Sequence, residues 1–158
     1  IGMAGCGKST IGKRLSELLK KELVDTDEMI VNTENKPIPE IFAEKGEEYF
    51  RWCENVAVNI AGKEKSQIIA TGGGVITRPE NYNSLKQNGI IVFINRDAEL
   101  LATNGRPLSQ KYGAKELYEK RLPLYRQFAD IEIDGNGTIE EVSNRIVKEI
   151  LLYENSCN

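Results

Sequence analysis

The residues with the most chemistry in their spacing stand at the start of the chain. Gly2-Met3-Ala4-Gly5-Cys6-Gly7-Lys8-Ser9-Thr10 fills the pattern G-x-x-x-x-G-K-[ST]. Such a loop binds phosphate. Its glycines let consecutive backbone N–H groups turn inward toward phosphate oxygens that larger side chains would keep out. Gly5, Cys6, Gly7, Lys8, Ser9 and Thr10 are therefore expected to cradle a nucleoside triphosphate, with Cys6 acting only as a small spacer. Lys8 has the reach for the β- and γ-phosphates, and the Ser9 hydroxyl suits Mg²⁺. A helix starting near Ser9 turns its positive dipole end to the same anion. The alternative is a glycine-rich turn capping an ordinary helix. The triphosphate site is the stronger reading, because Ile11 to Leu23 continues as a helix with Ile11, Leu15, Leu18 and Leu19 on one face.

Carboxylates come next. Asp25 and Asp27 stand two apart at the end of a short apolar run, where strand geometry sends both side chains from one face. Phosphoryl transfer needs one carboxylate near Mg²⁺ and another to accept or orient the proton of the attacking hydroxyl. The plainer alternative is that Asp27 caps the following helix. Gly72-Gly73-Gly74 follows a strand directly; three glycines exceed what a turn needs, and a ligand close to their N–H groups would explain the surplus. Arg51, with Glu54 three residues on, is either half of a surface ion pair or part of an anion clamp. Arg106, Arg121 and Arg126 pose the same choice, and a small anionic substrate requires at least one bidentate arginine.

These residues must be positioned by one domain, since the chain has 158 residues. Histidine is absent. That excludes a Ser-His-Asp or Cys-His nucleophile and the H-E-x-x-H zinc helix, and it leaves proton transfer to carboxylates, Lys or Tyr. A net charge of −3 argues against a general nucleic-acid binder. Cys6, Cys53 and Cys157 are too few and too scattered for a disulfide framework or a zinc site and point to a reducing cytoplasm. No apolar run reaches membrane-spanning length. Only Ile1 precedes the phosphate loop, so the chain is expected to begin inside its first strand.

Periodicity then predicts strands over 22–26, 67–71, 90–94 and 131–133. Helices are predicted near 29–32, 39–45, 47–63, 79–87, from 114 onward and over 139–153. Gly46 closes one of them and Pro123 kinks another. In the helix over 47–63, Phe50, Cys53, Val56, Ala57 and Ile60 recur at helical spacing as the apolar face. Strands alternating with helices give a parallel sheet covered on both faces, with ligands at the carboxyl ends of the strands. The phosphate loop, Asp25 with Asp27, and the three glycines all fall there.

Taken together these pieces closely resemble the shikimate kinases, over nearly the whole chain. The resemblance rests on the loop GMAGCGKST, Asp25-Thr26-Asp27, Ile38-Pro39-Glu40-Ile41-Phe42 with Gly46-Glu47, and Phe50-Arg51 followed by Glu54. It continues through Thr71-Gly72-Gly73-Gly74, Arg106-Pro107-Leu108, and Arg121 with Pro123-Leu124-Tyr125-Arg126. It implies the P-loop nucleoside-triphosphate hydrolase fold, an α/β three-layer sandwich around a five-stranded parallel sheet. Residues 1–158 would form a single kinase domain with substrate-binding helices over about 28–63 and a lid over about 102–115.

The implied reaction is Mg²⁺-dependent transfer of the ATP γ-phosphoryl group to the 3-hydroxyl of shikimate, in aromatic amino acid biosynthesis. Lys8, Asp27 and Arg106 would be catalytic, and Arg106 would also touch ATP. Asp27, Arg51, Gly72, Gly73, Gly74 and Arg121 would hold shikimate, while Ser9 and Asp25 would serve the metal. A cytoplasmic monomer without nucleic-acid or membrane partners is implied. The family often carries another basic residue several positions before the lid's Arg-Pro-Leu, where this chain reads Glu99-Leu100-Leu101-Ala102-Thr103. A gluconate kinase is the nearest alternative, but it gives no reason for F-R-x-x-E with T-G-G-G. A regulatory GTPase lacks its N-K-x-D here, since Asn35-Lys36-Pro37-Ile38 has no Asp. A silent binding domain would be expected to have lost Lys8, Asp27 or an arginine.

Overall fold

The computed structural model describes residues 1–101 and 113–156. Arg106, Cys157 and most of the expected lid lie outside them. Four short strands alternate with helices: β1 (Glu22–Asp25), β2 (Gln67–Ala70), β3 (Val92–Asn95) and β4 (Ile131–Asp134). The helices are α1 (Lys8–Leu19), α2 (Thr26–Glu34), α3 (Ile38–Ala61), α4 (Glu80–Lys86), α5 (Ala114–Phe128) and α6 (Ile139–Ser156). All strand pairing is parallel, as buried strands joined by helical crossovers require. β1 pairs with β2 in the register Glu22 to Gln67, and β3 with β4 in the register Val92 to Ile131.

Among the described residues the two pairs are not joined by a ladder of their own. An apolar slot of about 580 Å³ lies between β2 and β3, lined among others by Ile68, Leu85, Ile91, Val92, Ile146 and Ile150. Ile1 sits at its end and already ladders on β3: its nitrogen donates to the Val92 carbonyl at 2.7 Å, and Ile94 N–H donates to the Ile1 carbonyl at 2.9 Å. Helices α1 and α6 pack on each other and reach β2 and β4 respectively.

One large apolar cluster surrounds Met3, Val58, Val75, Phe93, Tyr125 and Ile146. A second, smaller one joins α2 to α3 through Ile30, Ile41, Phe50, Cys53 and Ala57. Within α3, Gly46 takes φ 79° and ψ 173°, a conformation that costs a residue with a Cβ, so the chain breaks there and restarts at a new angle. The expected apolar face of this helix is shifted. Phe50, Cys53 and Ala57 are buried, but Val56 and Ile60 are exposed. The true stripe runs through Glu54, Val58 and Ala61 instead, and a charged residue on it hid the phase. α5 continues through Pro123 as a single helix. No helix among the described residues is long and apolar enough to cross a membrane.

Candidate active site

The phosphate loop follows from its glycines. Gly7 caps α1 with φ 97°, and Gly5 has φ 86°; both are left-handed conformations that L residues adopt only at a cost. α1 then begins at Lys8 with no acidic residue in its first turn, so its unpaired N–H groups and dipole remain open to an anion. Lys8 Nζ folds over the loop and donates to the carbonyls of Gly2 and Met3, at 2.9 and 2.8 Å. These acceptors are neutral, and a phosphate oxygen competes well with them. The ammonium is thus parked beside the place where charge would arrive.

Ser9 and Asp25 meet next to the loop. The Ser9 hydroxyl donates to Asp25 Oδ2 at 2.5 Å. Two hard oxygens on a half-open edge fit Mg²⁺, which takes one or two protein oxygens and keeps several waters. No group of three or more acidic, Cys or His side chains suited to a metal occurs among the described residues, so the protein supplies only part of such a shell. The other Asp25 oxygen, Oδ1, accepts from the N–H groups of Asp27 and Glu28, at 2.9 and 3.3 Å. Asp25 is therefore the N-cap of α2, and Asp27 lies in its first turn. Both sequence readings of Asp27 need correction: it is neither on a strand end nor a cap. It reaches the site because the cap rotates the first helical turn toward the loop after β2, where Thr26 Oγ1 accepts from Gly72 N–H at 3.2 Å.

Beyond the phosphate loop the site is built from buried charge. Arg51 is only 6% exposed and Glu54 not at all; Arg51 Nη1 donates to Glu54 Oε2 at 2.8 Å. The surface ion pair that Arg51 and Glu54 offered on sequence grounds is thus a core pair, with Glu47 touching Arg51 from the rim at 3.4 Å. Arg121, also 6% exposed, donates through Nη1 to the Gly73 carbonyl at 3.2 Å. Tyr125, one turn further along α5, donates its hydroxyl to the same carbonyl and stacks on Phe93 with ring centroids 4.9 Å apart. That stack fixes α5 against β3 and so fixes Arg121. By contrast Arg126 pairs with Glu132 on the surface and takes no part.

The three glycines have a packing reason of their own, beside the ligand contact expected of them. A Cβ on Gly72 would lie 2.5 Å from Glu54 Oε1 and 2.7 Å from Asp27 Oδ1. On Gly73 it would lie 2.6 Å from the Ala4 nitrogen, and on Gly74 it would overlap the Arg51 guanidinium. Each glycine makes room for a different part of the protein: two carboxylates, the phosphate loop and the arginine. The loop after β2 is the seam along which the nucleotide side and the acceptor side close on each other.

Electrostatics marks the same place. Asp27 Oδ1 and Glu54 Oε1 are buried without a hydrogen-bond partner, which is costly unless a donor arrives. Burial, and then the neighbouring Glu54 charge, push Asp27 up to about 6. Burial raises Glu54 as well, against the pull of Arg51, and burial lowers Arg121. Two guanidinium groups thus stand close together, with Glu54 as their wholly buried counter-charge. An incoming carboxylate would complete it, and hydroxyl groups would satisfy the two orphaned oxygens.

Sequence reading missed Glu54 and Tyr125 as parts of the site. A carboxylate at 54, in phase with Phe50 and Ala57, was the available signal. Tyr125, four residues after Arg121, carried none without the fold.

A family model described as shikimate kinase matches residues 4–151. A shikimate kinase from Clostridium beijerinckii is 45% identical, with 96% of this chain and 92% of that one covered. Among solved structures, a shikimate kinase from Acinetobacter baumannii in complex with shikimate superposes with a TM-score of 0.89 at 36% identity, covering 95% of this chain and 89% of that one. A gluconokinase from Sinorhizobium meliloti reaches a TM-score of 0.56 at 15% identity, with 98% of this chain and 91% of that one covered; it shares the fold alone.

Proposed function

The chain belongs to the shikimate kinase family, and from that premise we propose how its residues divide the reaction. The activity is ATP-dependent transfer of the γ-phosphoryl group to the 3-hydroxyl of shikimate. One observation carries the division: Arg51 and Arg121 are buried beside the orphaned oxygens of Asp27 and Glu54, next to the phosphate loop. That pocket has the complement of a small acid bearing several hydroxyls. Arg51 and Arg121 clamp its carboxylate, and Gly72, Gly73 and Gly74 let Asp27, Glu54, the phosphate loop and Arg51 close around it.

Asp27 accepts or orients the proton of the attacking hydroxyl. Gly5, Cys6, Gly7, Ser9 and Thr10 line the triphosphate. Lys8 leaves the Gly2 and Met3 carbonyls to neutralise the transferring group. Arg106 is assigned to the same group on the strength of the Arg-Pro-Leu motif, and the lid over about 102–115 rests on that motif too. Ser9 and Asp25 supply the protein's share of an Mg²⁺ shell, and the ion would offset charge on the phosphates.

We read the two strand pairs as parts of one five-stranded parallel sheet in a three-layer sandwich. The ladder that Ile1 starts on β3 and the apolar lining of the slot support this. Residues 1–158 then form one kinase domain, with acceptor-binding helices over about 28–63. Cytoplasmic placement is supported by the use of ATP and by the free thiols of Cys6 and Cys53. We read the enzyme as a monomer acting on a small molecule, without nucleic acid or membrane, and the net charge of −3 supports the lack of a nucleic-acid partner.

A coupled ADP-release assay over shikimate, gluconate and other hydroxy acids tests the reading. ADP release is expected with shikimate and Mg²⁺ and should fall about a hundredfold or more in Asp27→Asn. Faster turnover with gluconate than with shikimate would overturn it.

A further inference from the structure

Arg96 directly follows β3, and none of the roles above uses it. Its Nε is buried and meets no hydrogen-bond partner. Every other described arginine donates to a carboxylate or a carbonyl. The side chain is half-buried, and its buried Nε–H left unpaired is costly until an acceptor arrives.

Its surroundings say what the acceptor is. Arg96 Nη1 lies 3.9 Å from the point where a Gly7 Cβ would stand, so the guanidinium rests on the phosphate loop at the N-cap of α1. Behind it, Arg96 Cβ lies 3.3 Å from the corresponding point on Gly135, in the turn after β4. The nearby acid of that turn, Asp134, is already taken: it accepts from Asn136 N–H at 2.9 Å and faces Arg145 at 3.8 Å. The first turn of α1 has no acid. A helix N-terminus and a guanidinium with free N–H groups therefore face one position with no negative charge of the protein's own.

The geometry points to Arg96 as a further nucleotide-binding residue, whose free N–H groups take a phosphate oxygen of the nucleotide held in the loop. It rests on the kinase reading above. Arg96 is then a further cation on the phosphates beside Lys8 and Arg106, placed directly after β3 and independent of Lys8.

Titration calorimetry on the parent, Arg96→Met and Arg96→Lys tests this, with ATP, ADP and adenosine as ligands. Arg96→Met should weaken ATP and ADP about tenfold and leave adenosine unchanged; Arg96→Lys, which keeps the charge but loses the planar fork, should fall between. Shikimate affinity without nucleotide should match the parent in both. Parental affinity for ATP and ADP in both variants overturns the inference, and so does an equal loss for adenosine, which would mean a contact to the base. If Arg96→Met does not fold, Arg96→Lys decides: a loss of about threefold or more for ADP supports the contact, and parental affinity overturns it. A parent that binds no ATP would sink the kinase reading, whereas a parent that turns over shikimate beside two parental variants sinks this inference alone.

Discussion

The two halves of this site are made in opposite ways. The side we assign to the nucleotide is contiguous: residues 2–10 form a loop and a helix start, with Lys8 bonded to the loop's own Gly2 and Met3 carbonyls and only Ser9 reaching out, to Asp25. The side we assign to the acceptor gathers Asp27, Arg51, Glu54, Gly73 and Arg121 from segments far apart in the chain and buries their charges. A local loop loses function when altered but little stability, because water replaces what is removed. A buried charge cluster is bound up with the fold itself, since each member offsets the desolvation of another.

Lys8→Ala should break the comparison most clearly if it is wrong. Turnover is expected to fall about a thousandfold, with the unfolding midpoint near the parent's, because the ammonium acts on developing charge and bonds only to groups of its own loop. Steady-state kinetics beside thermal unfolding measures both, and a folded variant with near-normal turnover removes Lys8 from the chemistry.

Glu54→Ala should show the reverse. It leaves Arg51 buried without its wholly buried partner, at a cost of about 3–5 kcal/mol in stability. Chemical denaturation reads this out, and a loss under about 1 kcal/mol would mean that Arg51 escapes to water and that the cluster is not tied to the fold.

Arg51→Lys sharpens the comparison inside the acceptor side. Shikimate binding should weaken about tenfold while ATP binding stays unchanged, since charge persists but the fork is lost. Calorimetry with each ligand alone separates the two, and a loss confined to ATP would move Arg51 to the other half of the site.

The smallest effect is on pH dependence. Asp27 sits at about 6 in the folded protein, raised by burial and by Glu54. It accepts a proton in the reaction only when ionised, so kcat/KM should fall about tenfold per unit below pH 6 and level off above it. Stability moves the other way: the folded state holds this proton more tightly than the unfolded chain, so the Asp27 contribution grows as pH falls from about 6 toward the ordinary carboxylate range. Asp27→Asn should flatten its share of that stability change. An acid limb centred near 4 in the parent would show that Asp27 is not held in this surrounding.

How much of this was readable in advance tracks the same divide. The alternation of strands and helices, the break at Gly46 and the start of α1 all follow from local pattern, and each is within a few residues of its predicted place. The phase of α3 was misread because Glu54, a charge, occupies its buried stripe. The strand-end geometry expected for Asp27 failed because Asp25 stops β1 and caps α2 one residue earlier than the pattern suggested.

By itself, the sequence determined the phosphate loop, since its geometry is carried by glycine backbones and a helix start within nine consecutive residues. It also determined the parallel α/β plan, because period and turn residues are local properties. Only the tertiary structure decided what Gly72, Gly73 and Gly74 are for, that Arg51 and Glu54 are buried, and that Tyr125 holds the carbonyl to which Arg121 binds. Those facts depend on which distant surfaces close on one another, and desolvation, which sets the character of every charge in the pocket, is a property of that closure and of no single segment.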